Sequence, residues 1–136
     1  MTTNIAVITD ALRLLGVVSE TETPGADQGA HALGRLNRML AQWTEDDIEL
    51  GYFAQSLTTA DCPIPDWAER GVISKLAQDL RATYPSSSLD ASVHDDSQNG
   101  FGTILRRATI ERLKPADMSH MPAGSGSLGR TVDITR

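Results

Sequence analysis

The apolar residues of this chain recur at steps of three and four positions, and this spacing constrains the fold more than any other feature. The clearest run is Leu33, Leu36, Leu40 and Trp43. Such steps place side chains on one face of an α-helix. Aromatic residues make up only 4% of the sequence, so a core must consist mostly of aliphatic side chains. The pattern predicts an all-α protein, a small helical bundle of about four helices.

Capping residues and stops predict where the first two helices begin and end. The first helix is expected over residues 4–15, with Thr3 as its N-cap. Gly16 supplies the left-handed conformation that commonly ends a helix. The second helix is expected over residues 24–44, with Thr23 as its cap and a proline in its first position.

Prolines and polar residues delimit the other two helices. The third is expected over residues 67–84, with Asp66 as its cap and a proline after its last residue. The fourth is expected to begin after a serine cap within residues 86–88 and to end before Pro115. Its middle, residues 95–102, contains asparagine and two glycines, so the helix could break there.

The segment between the second and third helices shows a different period. Ile48, Leu50 and Tyr52 alternate with a glutamate and a glycine. Alternation of this kind is typical of extended backbone rather than of a helix. Residues 48–59 are therefore expected to form either a short extended segment or a hairpin insertion.

Charge is distributed unevenly along the chain. Residues 1–105 hold six Lys and Arg against fifteen Asp and Glu, a net charge of −9, whereas residues 106–136 hold six against three, a net charge of +3. From residue 116 onward, Pro, Gly and Ser dominate and periodicity is lost. We therefore divide the chain into a helical body, residues 1–115, and an extended arm, residues 116–136, that orders against a partner. The alternative is a solvated helix face followed by a loose tail.

One acidic cluster is the strongest candidate for catalysis. Glu45, Asp46 and Asp47 are consecutive, and Glu49 follows closely. Two carboxylates can act as general acid and base in glycoside hydrolysis if one of them is buried enough to keep its proton. Three adjacent acids on a turn are more easily all ionised, so we expect a solvated turn and no enzyme.

Other reactive side chains do not form a recognisable site. The histidines are far apart in sequence: His31, His94 and His120. The single cysteine, Cys62, follows an aspartate, which disfavours a reactive thiolate, and it is expected to be a small, partly buried residue. No metal and no cofactor are predicted. Trp43 and Trp67 lie on apolar faces and are expected in the core.

Several segments together resemble a family of phage proteins. The family has a helix with a Leu-Gly-Val stop, a second helix that ends in tryptophan, and an acidic turn before an apolar-Gly-Tyr stretch; residues 11–17, 36–43 and 48–52 match these features. A proline-rich entry to the third helix, residues 63–67, also recurs among related connectors. Residues 121–126, Met-Pro-Ala-Gly-Ser-Gly, follow a basic helix as in the family. The chain thus resembles the tail accessory factors, or head-completion proteins, of short-tailed bacteriophages.

The resemblance implies a structural virion protein at the head-tail junction, which is in the host cytoplasm during assembly. Its partners would be the portal protein, neighbouring copies in a dodecameric ring, and a downstream tail or nozzle protein. DNA would pass without sequence-specific binding. The residues expected to bind the portal are Arg106, Arg107, Arg112, Lys114, Met121, Pro122, Gly124, Ser125 and Gly126.

Two other classes of protein remain as alternatives. The first is a virion-associated cell-wall glycosidase that uses the cluster of Glu45, Asp46 and Asp47. The second is a regulator or nucleic-acid binder that uses the basic stretch 106–114. An acidic body is a poor clamp for duplex DNA. No apolar run approaches the ~20 residues of a membrane span.

Overall fold

The computed structural model describes residues 2–85, 87 and 90–113 of the chain. It contains four α-helices: α1 (Asn4–Leu14), α2 (Ala26–Glu45), α3 (Asp66–Leu80) and α4 (Ala91–Arg112). Over the described residues, the β-structure is limited to one isolated bridge between Thr3 and Asp61. The prediction of an all-α bundle of four helices is therefore confirmed. Among these helices, none is long and apolar enough to cross a membrane.

Both ends of α1 are formed as the sequence predicts. The Thr3 hydroxyl accepts a hydrogen bond from the Ala6 backbone N–H at 3.4 Å. Gly16 adopts a φ of +71°, which a residue with a side chain rarely adopts. The Val17 N–H then reaches back to the Leu12 carbonyl at 3.1 Å, as expected for a helix that ends at a glycine.

The predicted start of α2 is wrong by two residues. The helix begins at Ala26, and Gly25 is the N-cap with extended backbone angles. The Gly25 N–H donates to Oε1 of Gln28 at 3.1 Å, a bond that satisfies the cap. The Gly25–Gln28 pair thus caps the helix, rather than the predicted Thr23.

The third helix is shorter than predicted. It begins at Asp66 itself, and Pro65 is the N-cap. The Asp66 carboxylate lies in the first turn, where its negative charge interacts favourably with the helix dipole. It ends at Leu80, and the Tyr84 N–H reaches back to both Leu80 and Arg81 in a tighter turn. A proline after Tyr84 keeps that residue out of helical geometry.

Helix α4 is continuous through the stretch where a break could have occurred. Its N-cap is Asp90, not one of the predicted serines. Ser87 instead donates to the Tyr84 carbonyl. The other two predicted caps, Ser86 and Ser88, lie outside the described residues. Gly100 lies against Gly71 of α3 so closely that an added Cβ would be 2.7 Å from the Gly71 Cα. This packing offsets the weak helix propensity of glycine, about 1 kcal/mol against alanine.

Residues 48–59 do not pair as a hairpin. Two asparagines hold the segment against the helices instead. The Asn37 side chain of α2 forms a pair of 2.9 Å hydrogen bonds with the backbone N–H and carbonyl of Gln55. The Asn4 Nδ2 of α1 donates to the Leu57 carbonyl at 2.9 Å. The segment is thus fixed by side chains rather than by a second strand.

The core lies between the four helices and is aliphatic. Its largest fully buried side chains include Leu12, Leu36, Leu40, Leu76, Leu80 and Ile104. Trp43 is buried and packs against Phe101 with ring centroids 5.1 Å apart. The prediction for Trp67 is wrong, because this ring is about a third exposed (36%) at the start of α3.

Candidate partner-binding surface

The last two turns of α4 carry an exposed face that points away from the core. Arg106, Ile110 and Leu113 follow one another at spacings of four and three, which places them on one side of the helix. Ile110 is 63% exposed and Leu113 is 74% exposed, whereas Ile104 on the opposite side is fully buried. We call Arg106, Ile110 and Leu113 the outer face of α4. It combines apolar area with a positive charge.

Arg107 points in a different direction and explains the exposed tryptophan. Its guanidinium lies over the ring of Trp67, 4.9 Å from the ring centroid. A cation in this position is attracted by the negative face of the indole, with a typical contribution of about 0.5–1 kcal/mol at an exposed site. Trp67 thus connects the start of α3 to the end of α4 rather than filling the core.

Arg112 joins the end of α4 to the acidic turn after α2. Its guanidinium donates to Oδ2 of Asp47 at 3.2 Å. Asp47 has a φ of +64°, a left-handed conformation that Asp and Asn tolerate better than most residues. Both side chains are largely exposed, so the ion pair is screened by solvent and salt.

A groove of about 550 Å³ runs between the Arg107–Trp67 contact and the Arg112–Asp47 ion pair. Its charged lining contains three acids and two bases, and its apolar lining includes the Trp67 ring. The lining residues are Asp47, Glu49, Leu50, Pro65, Trp67, Arg107, Ala108, Glu111 and Arg112. The groove is open and of mixed charge, which suits a protein segment better than a small anion.

The structure separates the basic residues that the sequence grouped together. Arg107 and Arg112 line the groove, whereas Arg106 lies on the outer face and donates to the Thr103 hydroxyl at 3.2 Å. The remaining predicted portal-binding residues lie outside the described residues: Lys114, Met121, Pro122, Gly124, Ser125 and Gly126. The predicted arm, residues 116–136, lies outside them as well.

Sequence reasoning missed the partners of these arginines. Nothing in the spacing of Trp67 and Asp47 indicated that both would meet the end of α4, since each is separated from it by at least forty residues. The one available signal was a tryptophan at the first turn of a helix, directly after the acidic Asp66. Tryptophan is so large that it is rarely buried completely.

The acidic cluster is exposed throughout. Glu45, Asp46, Asp47 and Glu49 are all solvent-exposed. The glycosidase hypothesis requires one buried carboxylate, and this turn offers none. Asp47 serves instead as the ion-pair partner of Arg112.

Cys62 is buried, as predicted for a structural thiol. Burial, and secondarily the nearby Glu69 carboxylate, raises its pKa to about 11. Burial, and secondarily Cys62, raises the pKa of the Tyr52 phenol. A thiol with a raised pKa is a poor nucleophile at neutral pH.

The two described histidines each contact a side chain in the last turn of α3 or just after it. His31 lies 3.2 Å from the Thr83 hydroxyl, and His94 Nδ1 lies 2.9 Å from Gln78 Nε2. Across the described part of the chain, no group of three His, Cys, Asp or Glu side chains could hold a metal ion. The chain matches no protein-family model and no curated protein sequence.

Proposed function

We propose that this protein is a head-to-tail connector of a short-tailed phage. It would bind beneath the portal ring after DNA packaging, close the filled head and provide the platform for the tail. The observation that carries the proposal is the outer face of α4. Ile110 and Leu113 are exposed there beside Arg106, directly before the basic and proline-rich residues that resemble the portal-binding arm of the family.

The outer face has the composition of a protein-binding site. Burying a large aliphatic side chain contributes about 1.5–3 kcal/mol, so Ile110 and Leu113 together supply a substantial part of a moderate affinity. Interfaces typically combine such apolar anchors with arginine at their centre and polar residues around them. The arm would then add affinity as it orders along the partner.

The acidic body supports a role at a DNA channel. Residues 1–105 carry a net charge of −9, and phosphate neutralisation by Lys and Arg supplies most of the affinity of duplex-DNA binding. A ring of acidic subunits would repel DNA rather than retain it, provided that acidic faces line the channel. DNA could then pass without being arrested.

The experiment measures binding to the cognate portal ring. We expect the double variant Ile110→Asp/Leu113→Asp to lose at least about tenfold in affinity while keeping its helical circular dichroism, since both side chains are exposed. A chain that ends at residue 115 should remain folded and also lose binding. Surface plasmon resonance and electron microscopy of the mixture give the affinity and the stoichiometry.

A matched control comes from the same helix. Leu105 is exposed but precedes Arg106 by one residue, about 100° around the helix, and so lies off the outer face. Leu105→Asp should bind portal rings normally. The proposal is wrong if neither the wild-type chain nor any variant binds portal rings, or if the chain without its arm and outer face binds as well as the wild type.

A further inference from the structure

Two histidines contact the carboxyl end of α3, one from each neighbouring helix. The Nε2 of His31 on α2 lies 3.2 Å from the Thr83 hydroxyl, and the Nδ1 of His94 on α4 lies 2.9 Å from Gln78 Nε2. Both imidazole rings are exposed. Histidine is the side chain that ordinarily changes its charge between pH 5 and pH 8. The end of α3 is thus in contact with two groups whose charge depends on pH.

The hydrogen bond of His94 fixes the protonation state of its ring. An amide nitrogen donates hydrogen bonds and does not accept them, so Gln78 Nε2 is the donor and His94 Nδ1 is the acceptor. Nδ1 therefore carries no proton, and the ring is neutral with its proton on Nε2. A protonated imidazole has an N–H at both nitrogens and could not accept this bond.

Gln78 connects this exposed ring to a buried hydroxyl. The Ser97 hydroxyl donates to Gln78 Oε1 at 2.9 Å. Ser97 is fully buried and follows His94 by three residues, on the same side of α4. One amide thus spans from the surface to the interior of the contact between α3 and α4, and it donates at the outer end and accepts at the inner end.

The charged groups around His94 come from both helices. On α4, Asp90 precedes His94 by one turn. On α3, Lys75 precedes Gln78 by one turn and Arg81 follows it by one turn. The carboxylate favours a charge on the ring and the two cations oppose it. The bond with Gln78 differs from these influences because its direction depends on where the ring proton lies.

We propose that protonation of His94 turns the Gln78 amide over and reverses the hydrogen bond of the buried Ser97, so that the contact between α3 and α4 contains a pH-sensitive switch. A protonated Nδ1 donates to Gln78 Oε1, and Gln78 Nε2 then faces the Ser97 oxygen. Ser97 accepts from Nε2 and donates its own proton to the Val93 carbonyl four residues earlier, a bond that serine can make within a helix. Without the rotation, two N–H groups would face each other at His94, and each would lack an acceptor.

His31 is a natural comparison in the same molecule. Its partner, the Thr83 hydroxyl, can donate or accept after rotation about one bond. Protonation of His31 therefore requires no change beyond Thr83. Of these two histidines, His94 alone passes its change of charge to a buried group. The switch is a property of the fold, and it holds whether or not the chain binds a portal.

Nuclear magnetic resonance of the isotopically labelled full-length chain between pH 8 and pH 5 tests the proposal. At pH 8 we expect a coupling across the hydrogen bond between Gln78 Nε2 and His94 Nδ1. At pH 5 this coupling should be lost, and a coupling between His94 Nδ1 and the side-chain carbonyl carbon of Gln78 should replace it. The Ser97 Cβ chemical shift should change with the same midpoint as the His94 ring.

Gln78→Glu is the matched variant, because a carboxylate can accept from a protonated His94 and from Ser97 without turning over. We expect the titration midpoint of His94 to rise by about one pH unit, a tenfold gain in proton affinity, since the ring gains an opposite charge beside it. The Ser97 Cβ shift should no longer follow the titration. In His94→Gln it should stay constant between pH 8 and pH 5, whereas His31→Gln should respond as the wild type does.

Three results would overturn the proposal. The first is a His94 ring that titrates in the wild type while the Ser97 Cβ shift stays constant. The second is a Ser97 response of the same size in Gln78→Glu as in the wild type, which would mean that the charge acts through space rather than through the amide. The third is a Ser97 response that persists in His94→Gln.

Discussion

Asp47 is the residue at which the turn after α2 meets the end of α4. Its left-handed backbone conformation turns the chain away from the axis of α2, and its carboxylate forms an ion pair with Arg112. The acidic run was predicted to leave the helix for solvent; all three side chains are exposed, but Glu45 is still the last residue of α2. The Asp47 carboxylate also takes part in a contact with a residue sixty-five positions away.

The substitution Asp47→Asn tests the effect of the charge without changing the backbone conformation. Asparagine tolerates a positive φ, so the turn should persist while the ion pair is lost. Because the pair is exposed, we expect the free energy of unfolding to fall by at most about 1 kcal/mol at low salt, and by less in 1 M salt. Urea unfolding at two salt concentrations measures this; Asp46→Asn in the same turn is the control. A loss that is unchanged by salt would contradict an ionic contribution.

The raised pKa of Cys62 makes the free energy of unfolding depend on pH in the alkaline range. Burial, and then Glu69, raises the pKa of this thiol from 9.0 to about 11. Between these two values the folded chain keeps a thiol proton that the unfolded chain releases. The contribution of this thiol to the free energy of unfolding is therefore fully present below pH 9 and is lost as the pH rises towards 11. We expect the free energy of unfolding to decline over that window in urea titrations. In Cys62→Ala the decline should be smaller, and an identical pH profile for both chains would contradict this assignment.

At the scale of elements, the contact between α3 and α4 depends on two glycines. A Cβ at Gly71 would lie 2.8 Å from Ile104 Cδ1 and 2.9 Å from the Gly100 backbone. Since backbone atoms cannot move aside as a side chain can, we expect Gly71→Ala and Gly100→Ala each to destabilise the fold by about 1–3 kcal/mol. Thermal unfolding measures the effect.

Gly102 provides the matched control for these substitutions. It lies in the same helix, and a Cβ there would meet nothing within 4 Å. Gly102→Ala should therefore stabilise α4 by about 0.5–1 kcal/mol through reduced backbone freedom in the unfolded chain. Stabilisation by all three substitutions alike would mean that helix propensity, not close approach, governs this region.

The sequence predicted the elements better than the contacts between them. Capping by Thr3 and the stop at Gly16 are local, so the bounds of α1 followed from neighbouring residues. The start of α2 depended on whether Gln28 could reach back to Gly25, which spacing alone left open. The continuity of α4 depended on Gly71 of another helix, and no local signal encodes that pairing.

The candidate site was predictable only in part. The sequence identified the basic end of α4 because charge and helical period are both local properties. It placed Arg106, Arg107 and Arg112 in one set, whereas the helix directs Arg106 outward and the other two towards the groove. Which way each points depends on Trp67 and Asp47, whose proximity arises only from the packing of α3 and α4.

At the scale of the molecule, the large apolar side chains that are more than 60% exposed fall into two regions of the described part of the chain. One is the outer face of α4, which we propose binds the portal, and the other is the pair Phe53 and Leu57 in the loop between α2 and α3. Two separate regions of this kind suit a subunit with more than one partner, because each interface can form without competing for the other's surface.

The glycine contact also has a mechanical consequence. Gly100 lies twelve residues before Arg112, so the part of α4 beyond it extends roughly 18 Å. Backbone packed directly on backbone at Gly71 gives a stiffer junction than flexible side chains would. A sideways force applied to the tip of α4 is therefore transmitted to α3 with little bending at the junction.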